Sequence, residues 1–405
     1  MNADMSTAEH FTMLPKLPPL VLRPNQSILT QTAIALLQLC PKKFWFRDVL
    51  GLAPQTMTDS TLSFGSLIHG CLEVWHGPDI HNEDKTEIDK GEFIQTDINE
   101  AYPGRNDDAH PKALWHLATA MMRGYQLRYP ADSESFATIA VEQFAYGPIR
   151  NPKVSRSRGK SYKVVFALKA DGLVARHREQ DPWRGTCWLL EHKTASSIDG
   201  AYLEKLQTDL QIISYALYLQ ECFGIKITGV IYNVLVKSRL QQRMGETEEQ
   251  FEARYAEQCA KNKSGKSSAT RQLPETDDEF QARLAEFYSR PEAFHREEVL
   301  VDETRFDEVR SELWGLTQLY LTMRRTNIWP RNRKACWDYG RRCGYFDVCS
   351  AKPEDFEQMR ELYLREEEPH SEIREFIVSP NRKSETQSQQ YVPCETQYAE
   401  DEPLF

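Results

Sequence analysis

Between Val164 and Leu219 the chain reads VVFALKADGLVARH, a turn-prone REQDPWRGT, CWLLEHKTAS and then LQTDLQIISYALYL. Two strand-like runs are followed by an amphipathic helix, and each run delivers an acid. Residues i and i+2 of a strand face the same way, so Glu191 and Lys193 share a face and Asp171 comes from the neighbouring run. Trp188, Leu189 and Leu190 make the second run apolar enough to be buried. A buried Glu–Lys pair is costly unless it serves something. Two carboxylates and a lysine at one sheet edge suit Mg²⁺ or Mn²⁺, because hard cations take oxygen ligands. The lysine can orient a water or offset developing charge. The bland alternative is a pair of ordinary strands with an acid at the end of one.

The order D…E-x-K, followed by a helix with Gln211-x-x-x-Tyr215, resembles the RecB-like branch of the PD-(D/E)XK nuclease superfamily. That branch carries a histidine on an upstream helix, here Phe64-Gly65-Ser66-Leu67-Ile68-His69. Its iron–sulfur subgroup, similar to the AddB nuclease domain and the RecB-like nucleases of CRISPR adaptation, has one cysteine before the core and three after it. This chain has Cys40, then Cys336, Cys343 and Cys349. The resemblance spans roughly residues 27–350. It implies an α/β, restriction-endonuclease-like core: a small mixed sheet flanked by helices, a helical insertion and an iron–sulfur-stapled C-terminal cap.

The resemblance further implies metal-dependent hydrolysis of DNA phosphodiesters, by an exonuclease in DNA end processing (recombination, repair or phage replication). Mg²⁺ or Mn²⁺ would sit on His69, Asp171, Glu191 and the backbone carbonyl of His192, with Lys193 positioning water. Gln211 and Tyr215 would align the DNA strand. A [4Fe–4S] cluster would bind Cys40, Cys336, Cys343 and Cys349. The subgroup's last three cysteines are spaced C-x2-C-x5-C, and here the first gap is longer. Zinc is the rival, but its usual C-x2-4-C knuckle is absent. Two other readings stay open: a non-catalytic iron–sulfur nucleic-acid-binding module, and an end-trimming nuclease of CRISPR adaptation. No helicase motif is present, so unwinding would fall to a separate helicase or recombination partner.

The net charge of −10 does not by itself favour nucleic acid. Its distribution matters more. Arg150 to Lys163 holds six Lys/Arg and no acid, and Arg324 to Arg342 holds seven against one Asp; either stretch could meet phosphates or be a solvated loop. Nine cysteines, an odd number, argue against a disulfide framework. No run approaches the roughly 18 apolar residues of a membrane span, and a cytoplasmic protein is expected.

In order, the pattern predicts an N-terminal arm over 1–26 and a helix capped by Ser27 from Ile28 to about Leu39. Phe44, Trp45 and Phe46, among basic residues, either pack around Cys40 or stack on bases. A helix is expected over 61–76, a loop over 77–110, a helix over 113–129 and a strand over 136–146. That strand contains Glu142, either a supporting group of the site or a surface acid. A basic connection spans 151–160. One long helix is expected over 199–222 and a strand over 225–237. Residues 239–298 read as an insertion of two solvated helices, 299–326 as an amphipathic helix and 331–350 as the cysteine-rich cap. Residues 351–405 read as an acidic, largely disordered tail. Its final Leu404-Phe405 resembles the short peptides that dock on sliding clamps.

Overall fold

The computed structural model describes residues 14, 17–23, 26–54, 61–81, 87–103, 109–130, 135–154, 160–338, 341–365 and 370–378. The beginning of the arm, the tip of the basic connection at 155–159 and the tail beyond 378, with Leu404-Phe405, lie outside them. The main elements are β1 (Ser27–Leu29), α1 (Gln31–Leu39), α2 (Thr61–His76), α3 (Lys90–Ala101), α4 (Ala109–Arg128), β2 (Phe136–Arg150), β3 (Lys160–Arg176) and β4 (Cys187–Ala195). There follow α5 (Gly200–Leu206), α6 (Leu210–Phe223), β5 (Ile227–Val236), α7 (Glu248–Lys261), α8 (Asp277–Tyr288), β6 (Phe294–Leu300) and α9 (Phe306–Thr326).

Six strands form one mixed sheet. β2 and β3 are a long antiparallel hairpin. β4 runs parallel to β5 along its whole length, and β6 closes that edge antiparallel to β5. On its other edge β4 pairs with β3 only from Cys187–Ala175 to Leu190–Gly172. Farther along the same edge of β3, at Val164–Phe166, β1 pairs in parallel. Among the described residues no strand pairs with β3 residues 167–171 on that edge, and the sheet splays open there. One apolar cluster packs α1, α6 and α9 on the sheet. Another gathers α2, α3, α4 and α8 with Leu235 of β5 and Phe294 of β6. This is the mixed sheet flanked by helices that the sequence led us to expect.

Several local expectations change. Ser27 begins β1 and caps no helix; Thr30 caps α1, accepting from the Ala33 N–H at 3.2 Å. Pairing buries Ile28 and Leu29, a tertiary gain that outweighs helix propensity. Residues 77–110 are not all loop, because α3 buries Ile94 and Ile98. The helix expected over 199–222 is two, with Asp209 capping α6 through the Gln211 N–H at 2.9 Å. The insertion is narrower than 239–298. β6 is a sheet strand, and Phe280, Leu284 and Tyr288 of α8 are buried. α7 alone of the two helices has no buried residue. Past 351 the chain is still folded: Tyr363–Arg365 pairs with Leu52–Pro54, and Phe376 stacks on Phe144 at 4.5 Å. No helix among the described residues is long and apolar enough to cross a membrane.

Gly229 on β5 lies against Trp188 of β4. A Cβ there would overlap the indole, 2.7 Å from its Cε3. Trp188 is fully buried and cannot step aside, so Gly229→Ala is expected to cost about 1–3 kcal/mol. The urea midpoint would fall with an unchanged m-value; an unshifted midpoint would contradict the packing.

Candidate active site

The splay between β3 and β4 is where the polar residues collect. The next rung after Gly172–Leu190 would join Asp171 to Glu191. Instead the Asp171 carboxylate accepts the His192 N–H at 2.7 Å, so a side chain takes over from the backbone ladder as the strands part. His69 reaches the same oxygen from α2, Nδ1 to Oδ2 at 3.5 Å. On β4 the Glu191 Oε1 accepts from Lys193 Nζ at 2.5 Å and from Gln211 Nε2 at 2.6 Å. Lys193 also donates to Gln211 Oε1 at 3.1 Å. The Asp209 cap fixes the start of α6, and with it Gln211.

Electrostatics separates these groups. Burial raises the Glu191 carboxyl to about 7; the Asp171 charge adds to this and Lys193 offsets only part of it. Asp171 is also penalised by burial, but the His69 hydrogen bond and charge hold it below the usual carboxylate range. Burial works against the His69 imidazolium, yet contact with Asp171 outweighs it and raises its pKa. Lys193 likewise resists burial, and the Glu191 charge lifts it to about 12. His192 is buried and held well below the usual imidazole value, hence neutral.

Two supports frame this group. His69, Glu73 and His76 lie on one face of α2, at i, i+4 and i+7. His76 Nε2 meets the Tyr125 hydroxyl at 2.8 Å and its ring stacks on His192 at 5.3 Å. Asn233 Nδ2 lies 2.9 Å from both that hydroxyl and His192 Nδ1. Arg296 donates to the same hydroxyl at 2.8 Å. This network locks β4 from behind. On the other flank Glu142 of β2 sits level with Asp171 in the hairpin register and is ion-paired with Lys169. Its φ is 50°, a conformation that costs a non-glycine residue about 1 kcal/mol and that gathers at functional sites.

The sequence reading thus finds His69, Asp171, Glu191, His192, Lys193 and Gln211 together. Tyr215, one turn beyond Gln211, is buried in the main apolar cluster. Glu73, Lys169 and Asn233 were missed. Glu73 was visible as the i+4 partner of His69, and Lys169 as the i−2 neighbour of Asp171. Nothing local marks Asn233, whose role comes from its register opposite His192.

A family model of the PD-(D/E)XK nuclease superfamily matches residues 28–350. The chain belongs to this superfamily. Its members are nucleases that use divalent metals such as Mg²⁺ or Mn²⁺, with DNA as the implied substrate. No curated protein matched the chain.

Among the described residues no three His, Cys, Asp or Glu side chains stand ready as a metal cage. The donor set at the splay suits a divalent cation. Asp171 and Glu191 offer hard oxygens, and His69 lies beside them. The Glu191 carboxyl is raised mainly because burial disfavours its charge, with the Asp171 charge adding to this; a proton relieves that cost, and a divalent cation would relieve it too.

Cys40, Cys336, Cys343 and Cys349 all line one cavity of about 430 Å³. Asn332 ties its walls together: its N–H points to Cys40 Sγ at 3.4 Å and its side chain donates to the Leu39 carbonyl at 2.8 Å. Phe46 stacks on Tyr345 at 5.6 Å across the same junction, while Trp45 stacks on Phe356 at 6.1 Å. Both of these aromatic residues therefore serve packing, as does Phe44 against Trp329.

Proposed function

We propose that the protein is a metal-dependent deoxyribonuclease that trims DNA ends as an exonuclease, in recombination, repair or phage replication. The observation that carries the hydrolytic reading is the contact of Lys193 with both Glu191 and Gln211 beside the Asp171–His69 pair. Asp171, Glu191, His69 and the His192 carbonyl would hold one Mg²⁺ or Mn²⁺. A bound cation supplies Lewis acidity toward the phosphate and lowers the pKa of a bound water. The chain's own residues do the rest. Lys193 remains a cation and orients the attacking water or offsets charge on the phosphoryl oxygens. Gln211 fixes both members of the Glu191–Lys193 pair. Burial keeps His192 neutral, and the Asn233–Tyr125 network holds it in place. The end-trimming role and the setting rest on the resemblance to RecB-like enzymes.

The four cysteines would hold a [4Fe–4S] cluster that joins the two ends of the domain. The cavity they share supports this reading, since a cluster adds its binding energy to folding when the fold must bring the ligands together. The test is cleavage of end-labelled linear DNA by protein purified without oxygen. Mn²⁺-dependent shortening that EDTA abolishes, from brown, iron-containing protein, is expected. Colourless protein would end the cluster proposal, and intact DNA in every metal would end the nuclease proposal.

A further inference from the structure

The segment that closes the cysteine cavity carries more positive charge than its packing uses. Arg331, Arg333, Lys334, Arg341 and Arg342 fall within twelve residues of a chain whose net charge is −10. Arg342 is paired with Asp347 at 2.9 Å. Arg333, Lys334 and Arg341 are exposed. Between them lies Trp337, on the short ladder that pairs Trp337 with Arg342. It is 61% exposed, and the other seven tryptophans are buried or half-buried. Its ring neighbour Phe346 is 6.3 Å away and tilted by 58°, which leaves an indole face open. Trp337, Lys43, Arg331 and Arg333 share the rim of a single cavity.

A solvent-facing indole costs hydration and gains nothing in the folded chain alone. Flanked by guanidinium and ammonium groups, it has the composition of a nucleic-acid stacking platform. We propose that this strip binds single-stranded DNA, with Trp337 stacking on an unpaired base and Arg333, Lys334 and Arg341 pairing with phosphates. Duplex bases are already stacked on one another and offer the indole no face, so the strip discriminates for unpaired strands. The charge complementarity excludes an acidic protein surface less well than it does a neutral one, and binding of a polyglutamate peptide is therefore the control. The proposal rests on the reading of the protein as acting on DNA, and its test separates the two.

The experiment is fluorescence anisotropy with the full, anaerobically purified chain in EDTA. The probes are a labelled oligothymidylate, a labelled blunt two-strand duplex and a labelled polyglutamate peptide. Trp337→Ala should weaken oligothymidylate binding about tenfold or more and leave the duplex unchanged, and Trp337→Phe should restore most of the loss. Arg333→Ala and Arg341→Ala should weaken both DNA probes, each lowering the single-strand salt slope by about 0.7. If Trp337→Ala binds oligothymidylate as tightly as the wild type or loses both DNA probes equally, or if the wild type binds polyglutamate as tightly as oligothymidylate, the proposal is overturned. If the Trp337 effect holds while no metal supports cleavage, the strip stands and the nuclease reading falls.

Discussion

Lys193→Ala is expected to lower the rate of DNA cleavage about a thousandfold while leaving the protein folded. Lys193 is a cation inside the splay whose charge is secure, because the Glu191 carboxylate holds its pKa at about 12. Alanine removes the charge and two hydrogen bonds together. Glu191 then keeps only the Gln211 amide, so its carboxyl becomes harder to ionise. Two losses therefore coincide: the group that stabilises the developing charge, and part of the negative charge that attracts the metal. Lys193→Arg should rescue little, because a planar fork cannot occupy the place of a compact ammonium between Glu191 and Gln211. Single-turnover cleavage at saturating Mn²⁺ separates the chemical loss from the metal loss. A Lys193→Ala enzyme within tenfold of wild type would remove Lys193 from the reaction.

The second large effect concerns stability and pH in the metal-free protein. Glu191 titrates near 4.5 in an unfolded chain and near 7 in the fold. The folded state therefore holds a proton that the unfolded state has released, over the window from 4.5 to 7. Stability from this group is present below 4.5 and is lost as pH rises through 7. A tenfold difference in proton affinity between the two states is worth about 1.4 kcal/mol, so the loss comes to about 3 kcal/mol. Other groups also titrate in this range: His69 has the same sign, and His192, held neutral, has the opposite one. The difference between wild type and Glu191→Gln isolates the acid. Urea denaturation in EDTA should show wild type losing about 3 kcal/mol relative to the variant between acid and neutral pH. Parallel profiles would mean that Glu191 binds its proton equally well in the folded and unfolded chain.

The two strands that carry Asp171, Glu191 and Lys193 were readable because the pattern that marks them is local. Glu191 and Lys193 share a face by period alone, and the apolar run before them marks burial. Gln211 was readable only through the Gln211-x-x-x-Tyr215 pattern of the resemblance, because the helix start beside it was hidden in what looked like one long helix. What the sequence hid depends on distant register. Ser27 looks like a helix cap until Ile28 and Leu29 find β3. β6 looks like the end of a charged insertion until its pairing with β5 is seen, since an edge strand carries a polar face of its own. Asn233 and Tyr125 are ordinary in sequence and become a support only through long-range contacts with His192, His76 and Arg296. Glu142 was left open between support and surface. Its left-handed backbone and its ion pair with Lys169 place it at the flank of Asp171.

The cavity bounded by Cys40 on one side and Cys336, Cys343 and Cys349 on the other has a consequence for how the protein is made. Bringing such distant segments together costs entropy that grows only with the logarithm of the span, so the finished protein loses little by it. The ribosome, however, delivers those segments in order. Asp171, Glu191 and Lys193 emerge long before residue 349, and through that interval the N-terminal wall has nothing to close against. The chemistry is thus translated before its enclosure. A chain interrupted in the second half carries every acid of the splay and still cannot complete the domain.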